Sequence, residues 1–102
     1  MEEAEVVFHP DASAEYIEAY AWYAAEDPRA AERFEQEVEL AVQHIAEHPH
    51  RWPAYGEKHR KLILRRFPYL LIFREHAKRI WIVAVAHGHR KPGYWKGRTI
   101  PG

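Results

Sequence analysis

The chain is expected to be an α+β protein. It should have an N-terminal strand, an antiparallel helical hairpin, then three mostly antiparallel strands forming one sheet with the helices packed on it. Three observations predict this. Residues 28–47 repeat their apolar positions with the 3.6-residue period of a helix. The run Ile80–Ala86 is apolar on both faces, which suits a strand buried on both sides. Helical and strand patterns also come in separate blocks along the chain, the mark of segregated layers.

The elements follow in order. Val6, Val7 and Phe8 form the centre of a short strand over 4–9. Pro10-Asp11-Ala12-Ser13 is a helix-start cluster. A helix over 12–25 then places Tyr16, Tyr20 and Tyr23 on one face as packing residues, with Glu15, Glu18 and Glu26 off that stripe. Asp27 is suited to cap a second helix and Pro28 to occupy its first position. In that helix, over 28–47, Ala31, Phe34, Val38, Ala41, Val42 and Ile45 form the buried stripe. The short connection between the helices implies an antiparallel hairpin. His48-Pro49 ends the second helix, because proline removes a donor and restricts its predecessor. Residues 49–59 then read as a loop. Strands are predicted over 60–67, 69–75 and 79–87, with Pro68 marking a tight turn and 75–78 a four-residue hairpin connection. Residues 88–102 form a basic tail punctuated by Gly and Pro.

Length and composition bound the function. The 102 residues allow one domain, 1–102, with 47% hydrophobic and 14% aromatic residues, enough for a core. The chain has no cysteine, so disulfides, thiolate metal sites and cysteine nucleophiles are excluded. No apolar run approaches the ~20 residues of a membrane span. The acidic start, Met1-Glu2-Glu3-Ala4-Glu5, is unlike a signal peptide. A soluble cytoplasmic protein without membrane contact is expected.

The formal net charge of zero conceals a strong asymmetry. Residues 1–50 carry 13 acidic and two basic residues; residues 51–102 carry 13 basic and two acidic ones, for nets of −11 and +11. Such a division points to an anionic partner for the basic half, nucleic acid or an acidic protein segment, or to pairing of the halves within the fold.

The residues able to do chemistry cluster late in the chain. His87 and Arg90 stand just past the most buried strand, with Tyr94, Trp95 and Arg98 close behind. A His as general acid or base, arginines on a charged phosphorane and a positioning Tyr would suit phosphodiester cleavage. A strand-end His equally suits a backbone carbonyl, and Tyr-Trp equally suits packing. On the strand expected over 60–67, Lys61 and Arg65 share one face and Arg60 and Arg66 the other. Either pair could reach phosphate or blunt a sheet edge. Among the histidines only His44 and His48 stand at i, i+4, without a third ligand in a recognised pattern, so neither a metal nor a cofactor is expected.

The chain resembles the RelE/ParE superfamily of bacterial type II toxins over about 90 residues. The resemblance is carried by Phe8-His9-Pro10 with Ala12, by Trp22-Tyr23, and by Pro49 with Trp52-Pro53. It continues through Arg60, Arg66-Phe67-Pro68-Tyr69 leading into Leu70-Leu71-Ile72-Phe73, and Ala84-Val85-Ala86-His87 with Arg90, Pro92 and Tyr94-Trp95. It implies a small toxin neutralised by a cognate antitoxin that folds on binding, and an acidic antitoxin segment would complement the basic half.

The RelE-like branch cuts messenger RNA on the ribosome. Here Leu70 and Ile63 stand where that branch carries basic residues, although Lys61 and Arg65 keep matching charge. Tyr94 could stand for the terminal Tyr and His87 for the His of other ribonuclease branches. The Arg-Phe-Pro-Tyr turn and the His-x-x-Arg tail resemble the ParE-like branch more, which implies DNA gyrase as target and no catalysis. Overall neutrality also favours a protein target over ribosomal RNA. The residues expected to meet the target or the antitoxin are Arg60, Lys61, Arg65, Arg66, Arg90, Trp95 and Arg98. An endoribonuclease would use His87, Arg90, Tyr94 and Arg65 on the ribosome-bound message. An inactive interaction module is the third reading.

Overall fold

The computed structural model describes residues 4–100; residues 101 and 102 of the expected tail lie outside the described residues. The elements are β1 (Glu5–Phe8), α1 (Pro10–Glu26), α2 (Pro28–Glu47), β2 (Ala54–Tyr55), β3 (His59–Ile63), β4 (Tyr69–His76) and β5 (Arg79–His87). The five strands form one sheet in the order β1-β5-β4-β3-β2. β1 runs parallel to β5 and every other pair is antiparallel. This is the α+β architecture expected, with β5 an interior strand between β1 and β4.

α1 starts two residues earlier than expected. His9 caps it, its Nδ1 accepting from the Asp11 N–H at 3.0 Å, while Pro10 takes the first helical position. Asp27 then serves both helices. Its N–H closes α1 onto the Tyr23 carbonyl at 2.8 Å, and its Oδ1 caps α2 through the Arg29 N–H at 3.0 Å. One extended residue thus turns the chain between antiparallel helices.

The helices bury one face of the sheet. Phe34, Val38, Ala41 and Ile45 of α2 and Ala12 and Ala19 of α1 meet Leu71, Phe73, Ile80, Ile82 and Val85. The tyrosines pack at the rim of this core: Phe34 lies 5.6 Å from the Tyr16 ring and 5.3 Å from that of Tyr23. The opposite face has no helix. Ile72, Trp81, Val83, Ala84 and Ala86 are covered there by the tail, chiefly Trp95. That explains why β5 is apolar throughout.

β5 does not alternate strictly. Its register with β4 shifts between Phe73↔Ile82 and Ile72↔Ala84, leaving Val83 as an extra, bulged residue. Ile80 and Ile82 face the helices before the bulge; after it Val85 does, while Val83, Ala84 and Ala86 belong to the other face.

Three expectations are corrected. The strand expected over 60–67 ends at Ile63, because 64–68 turn back. The Glu37 carboxylate of α2 takes the Arg65 and Arg66 N–H groups there, so these are not ladder donors. The expected loop 49–59 contains β2, a two-residue edge strand paired to β3. The hairpin connection is two residues rather than four: Ala77 and Lys78 turn the chain at φ 53° and 65°. Paired positive φ is the type I′ geometry that matches strand twist, usually signalled by Asn-Gly, and this chain lacks that signal.

Candidate functional site

The site grows from the bulge. β1 ends at Phe8, and its last link to β5 is the His9 N–H on the Ile82 carbonyl at 2.9 Å. Beyond that point the β5 edge has no neighbouring strand, and side chains complete it. Arg98 Nη1 donates to the Val83 carbonyl at 2.8 Å, and the Val85 N–H donates to Glu15 Oε1 at 2.9 Å. Arg98 and Glu15 also bind each other in a fork, Nη1 to Oε1 at 2.9 Å and Nη2 to Oε2 at 2.8 Å. Tyr94 adds its hydroxyl to Glu15 Oε2 at 2.6 Å. Asp11 lies 3.6 Å from Arg98 Nε. Since His9 Nδ1 accepts from Asp11, the neutral ring carries its proton on Nε2, which donates to the Thr99 carbonyl at 3.0 Å. The start of α1 therefore clamps the tail.

Electrostatics follow this geometry. Burial alone would raise the Glu15 pKa, but hydrogen bonds from Arg98, Tyr94 and Val85, with the Arg98 charge, hold it below the usual carboxylate value. Burial and the hydrogen bond to Glu15 push the Tyr94 phenol well above its ordinary value. The Arg98 guanidinium is held more firmly protonated by its hydrogen bonds to Glu15.

Beside the clamp opens a cleft of about 550 Å³, lined by Glu18 and Trp22 of α1, Tyr69 of β4, His87 of β5, and Arg90 and Tyr94 of the tail. Trp22 is 60% exposed although it is a large apolar side chain. His87 Nδ1 accepts from the His89 N–H at 3.0 Å, which assigns the proton of the neutral ring to Nε2. The His87 ring meets Tyr69 edge-on at 5.1 Å. The Arg90 guanidinium lies 3.9 Å over the Tyr94 ring.

The sequence-derived candidates divide accordingly. His87, Arg90 and Tyr94 come together in this cleft, and Arg98 stands behind it in the clamp. Trp95 is only 2% exposed and packs against His59 at 4.5 Å and Tyr55 at 5.5 Å, so it stabilises the sheet's helix-free face. Arg60 donates through Nη1 to the Trp52 carbonyl at 2.7 Å. The Lys61 ammonium lies 4.5 Å over the Tyr55 ring. Arg65 and Arg66 lie past the end of β3, so Lys61 and Arg65 do not share a strand face. Arg65 borders a separate groove with Leu40, His44 and Ile63, away from the lining of the His87 cleft. Among the described residues no group of three or more His, Asp and Glu is placed to hold a metal ion.

Glu15, Asp11 and His9 escape sequence reasoning as site residues. Their one local signal is that acids open α1 while the tail is basic. The contacts joining them to the tail span 83 positions from Glu15 to Arg98 and 90 from His9 to Thr99.

Comparison with known families decides the affiliation. Residues 6–92 match the family model described as ParE toxin of type II toxin-antitoxin system, parDE. The chain belongs to the ParE toxin family. It is thus a toxin of the type II toxin-antitoxin class. A solved structure titled "Chromosomal ParDE TA system from P. aeruginosa" matches with a TM-score of 0.72 at 21% identity, over 83% of this chain and 96% of the other. At that identity the likeness establishes a shared fold. A comparison with curated proteins finds no match. The ParE family match stops at 92, so Tyr94, Trp95 and Arg98 lie beyond it. Among the described residues no helix is long and apolar enough to cross a membrane.

Proposed function

We propose that this ParE-family toxin arrests growth by binding DNA gyrase in the cytoplasm, without chemistry of its own, and that a cognate antitoxin neutralises it. One observation carries the reading: two of the four groups a nuclease would use, Tyr94 and Arg65, are engaged elsewhere. The Tyr94 hydroxyl is donated to Glu15, and Arg98 is held in a fork by the same carboxylate. Arg65 belongs to another groove. What the cleft offers is a recognition surface, with an exposed indole at Trp22, the cation of Arg90 and the edge of His87. An exposed aromatic beside an arginine is the composition of a protein-binding hot spot. The whole chain, 1–102, would act as one toxin domain.

Purified toxin added to gyrase and relaxed plasmid should reduce supercoiling, and Trp22→Ala should relieve that inhibition. Undiminished supercoiling at saturating toxin would reject the gyrase reading.

One observation favours a second reading, endoribonuclease action on ribosome-bound messages. His87 lines a cleft that also holds Arg90, so a His and a phosphate-binding cation do converge. In that case His87→Gln should abolish message cleavage.

A further inference from the structure

A second charged surface lies on the helix-free face of the sheet and reaches its β3–β4 end, where Lys58 and Arg74 also border a groove with His50, Arg60 and Glu75. The β3–β4 register, Lys61↔Ile72 and Arg60↔Phe73, continues one step to set His59 across from Arg74. Lys58 precedes His59, Lys61 follows on the same face two residues on, and Lys96 approaches from the tail. The grouping registers on His59, whose pKa is driven down to about 4 by burial and by Arg74, Lys58 and Lys96. Among the described residues, none of Lys58, Lys61, Arg74 and Lys96 makes an ion pair. Arg74 Nε is buried there without a hydrogen-bond partner. Of the two acids in this half, Glu57 adjoins Lys58 in sequence and Glu75 is paired with His50 at 3.1 Å.

The chemistry of the patch restricts its ligand. Trp95 is covered by His59 and Tyr55, and Tyr55 carries the Lys61 ammonium, so open rings for stacking unpaired bases are lacking. Residues 51–98 contain no Ser, Thr, Asn or Gln. The amides that read adenine edges and the Ser or Thr hydroxyls that bind either base are therefore missing. What remains is positive charge brought together from the start of β3, from β4 and from the tail. We infer that Lys58, Lys61, Arg74 and Lys96 form a docking surface for the phosphate backbone of duplex DNA, engaged without regard to sequence.

An acidic protein segment that folds on binding would need apolar ground to bury. Exposed Leu40 lies on α2, and exposed Ile63, although it follows Lys61 on the same strand face, stands at the opposite end of β3 from Lys58 and borders the groove with Leu40. The inference stands apart from the gyrase reading, because its test uses DNA alone.

The test titrates the full-length toxin into a short labelled DNA duplex at several salt concentrations, followed by fluorescence anisotropy. Binding should weaken steeply with salt. Lys58→Gln combined with Lys96→Gln, both exposed positions, should lower affinity about tenfold and flatten the salt slope by about 1.8, at about 0.9 per lost phosphate contact. Arg51→Gln, which removes a cation beside Trp52, should leave both unchanged. Circular dichroism checks that each variant folds. Failure of the wild type to bind, or equal binding by the double variant, overturns the proposal. Binding of polyglutamate but not of the duplex overturns it in favour of an acidic protein segment. Tighter binding of duplex RNA than of DNA overturns the choice of DNA.

Discussion

Glu15 of α1 and Arg98 of the tail form a forked ion pair, at 2.9 and 2.8 Å, that also closes the open edge of β5 at its bulge. Both side chains are largely buried, so each is the other's compensation for lost water. The pair also shapes the candidate cleft, because the tail it holds supplies Arg90 and Tyr94 to it.

Removing one partner should therefore cost more than removing a surface ion pair. Glu15→Ala leaves Arg98 without its fork and Val85 without its acceptor, and should cost about 3 kcal/mol. Urea denaturation at neutral pH measures it. A cost below about 1 kcal/mol, the value of an exposed pair, would show that the clamp is not structural.

The same carboxylate sets an acid limit. Its folded pKa lies below its value in the unfolded chain, near 4.5. The stability it supplies is thus present above about pH 4.5 and is lost as pH falls through the folded value. Glu15→Gln should flatten the fall in urea midpoint in that range; an unchanged fall would assign it to other groups.

His59 works in a higher window. Folding lowers its pKa from 6.5 to about 4, so between those values the unfolded state binds more protons and stability rises with pH. The contribution is complete above about pH 6.5 and is lost as pH falls towards 4. His59→Phe should reduce the difference in thermal midpoint between pH 7 and pH 5. An unaltered difference would contradict the crowding of cations around this ring.

The β4–β5 turn should be improvable. Ala77 and Lys78 hold positive φ, where side chains other than Asn and Gly are disfavoured. Ala77→Asn with Lys78→Gly should raise stability by about 1 kcal/mol. A lower denaturation midpoint would count against the type I′ assignment.

Much of this was legible locally. The α2 stripe from Ala31 to Ile45 and the start signals at Asp27 and Pro28 depend on neighbours within a turn, and the structure keeps them, with Val42 only partly buried. The apolar length of β5 correctly implied burial on both faces. The covering of the second face by Trp95 did not follow from it, because an aromatic in a Gly/Pro-rich tail reads equally as surface. β2 has two residues, too few for any period to register. The end of β3 was set by Glu37, 28 positions away from Arg65, and the bulge at Val83 by partners across the sheet. Glu15 looked like one more solvated acid. Only the folded chain sets it beside Arg98.

The most direct test of the central claim, target binding without catalysis, is induction of the toxin alone, with plasmid supercoiling and message integrity read from one culture. Lost supercoiling with intact messages is the predicted result, and Arg90→Ala should restore supercoiling while circular dichroism shows the fold unchanged. Cut messages with normal supercoiling would contradict it and make His87 the catalytic residue.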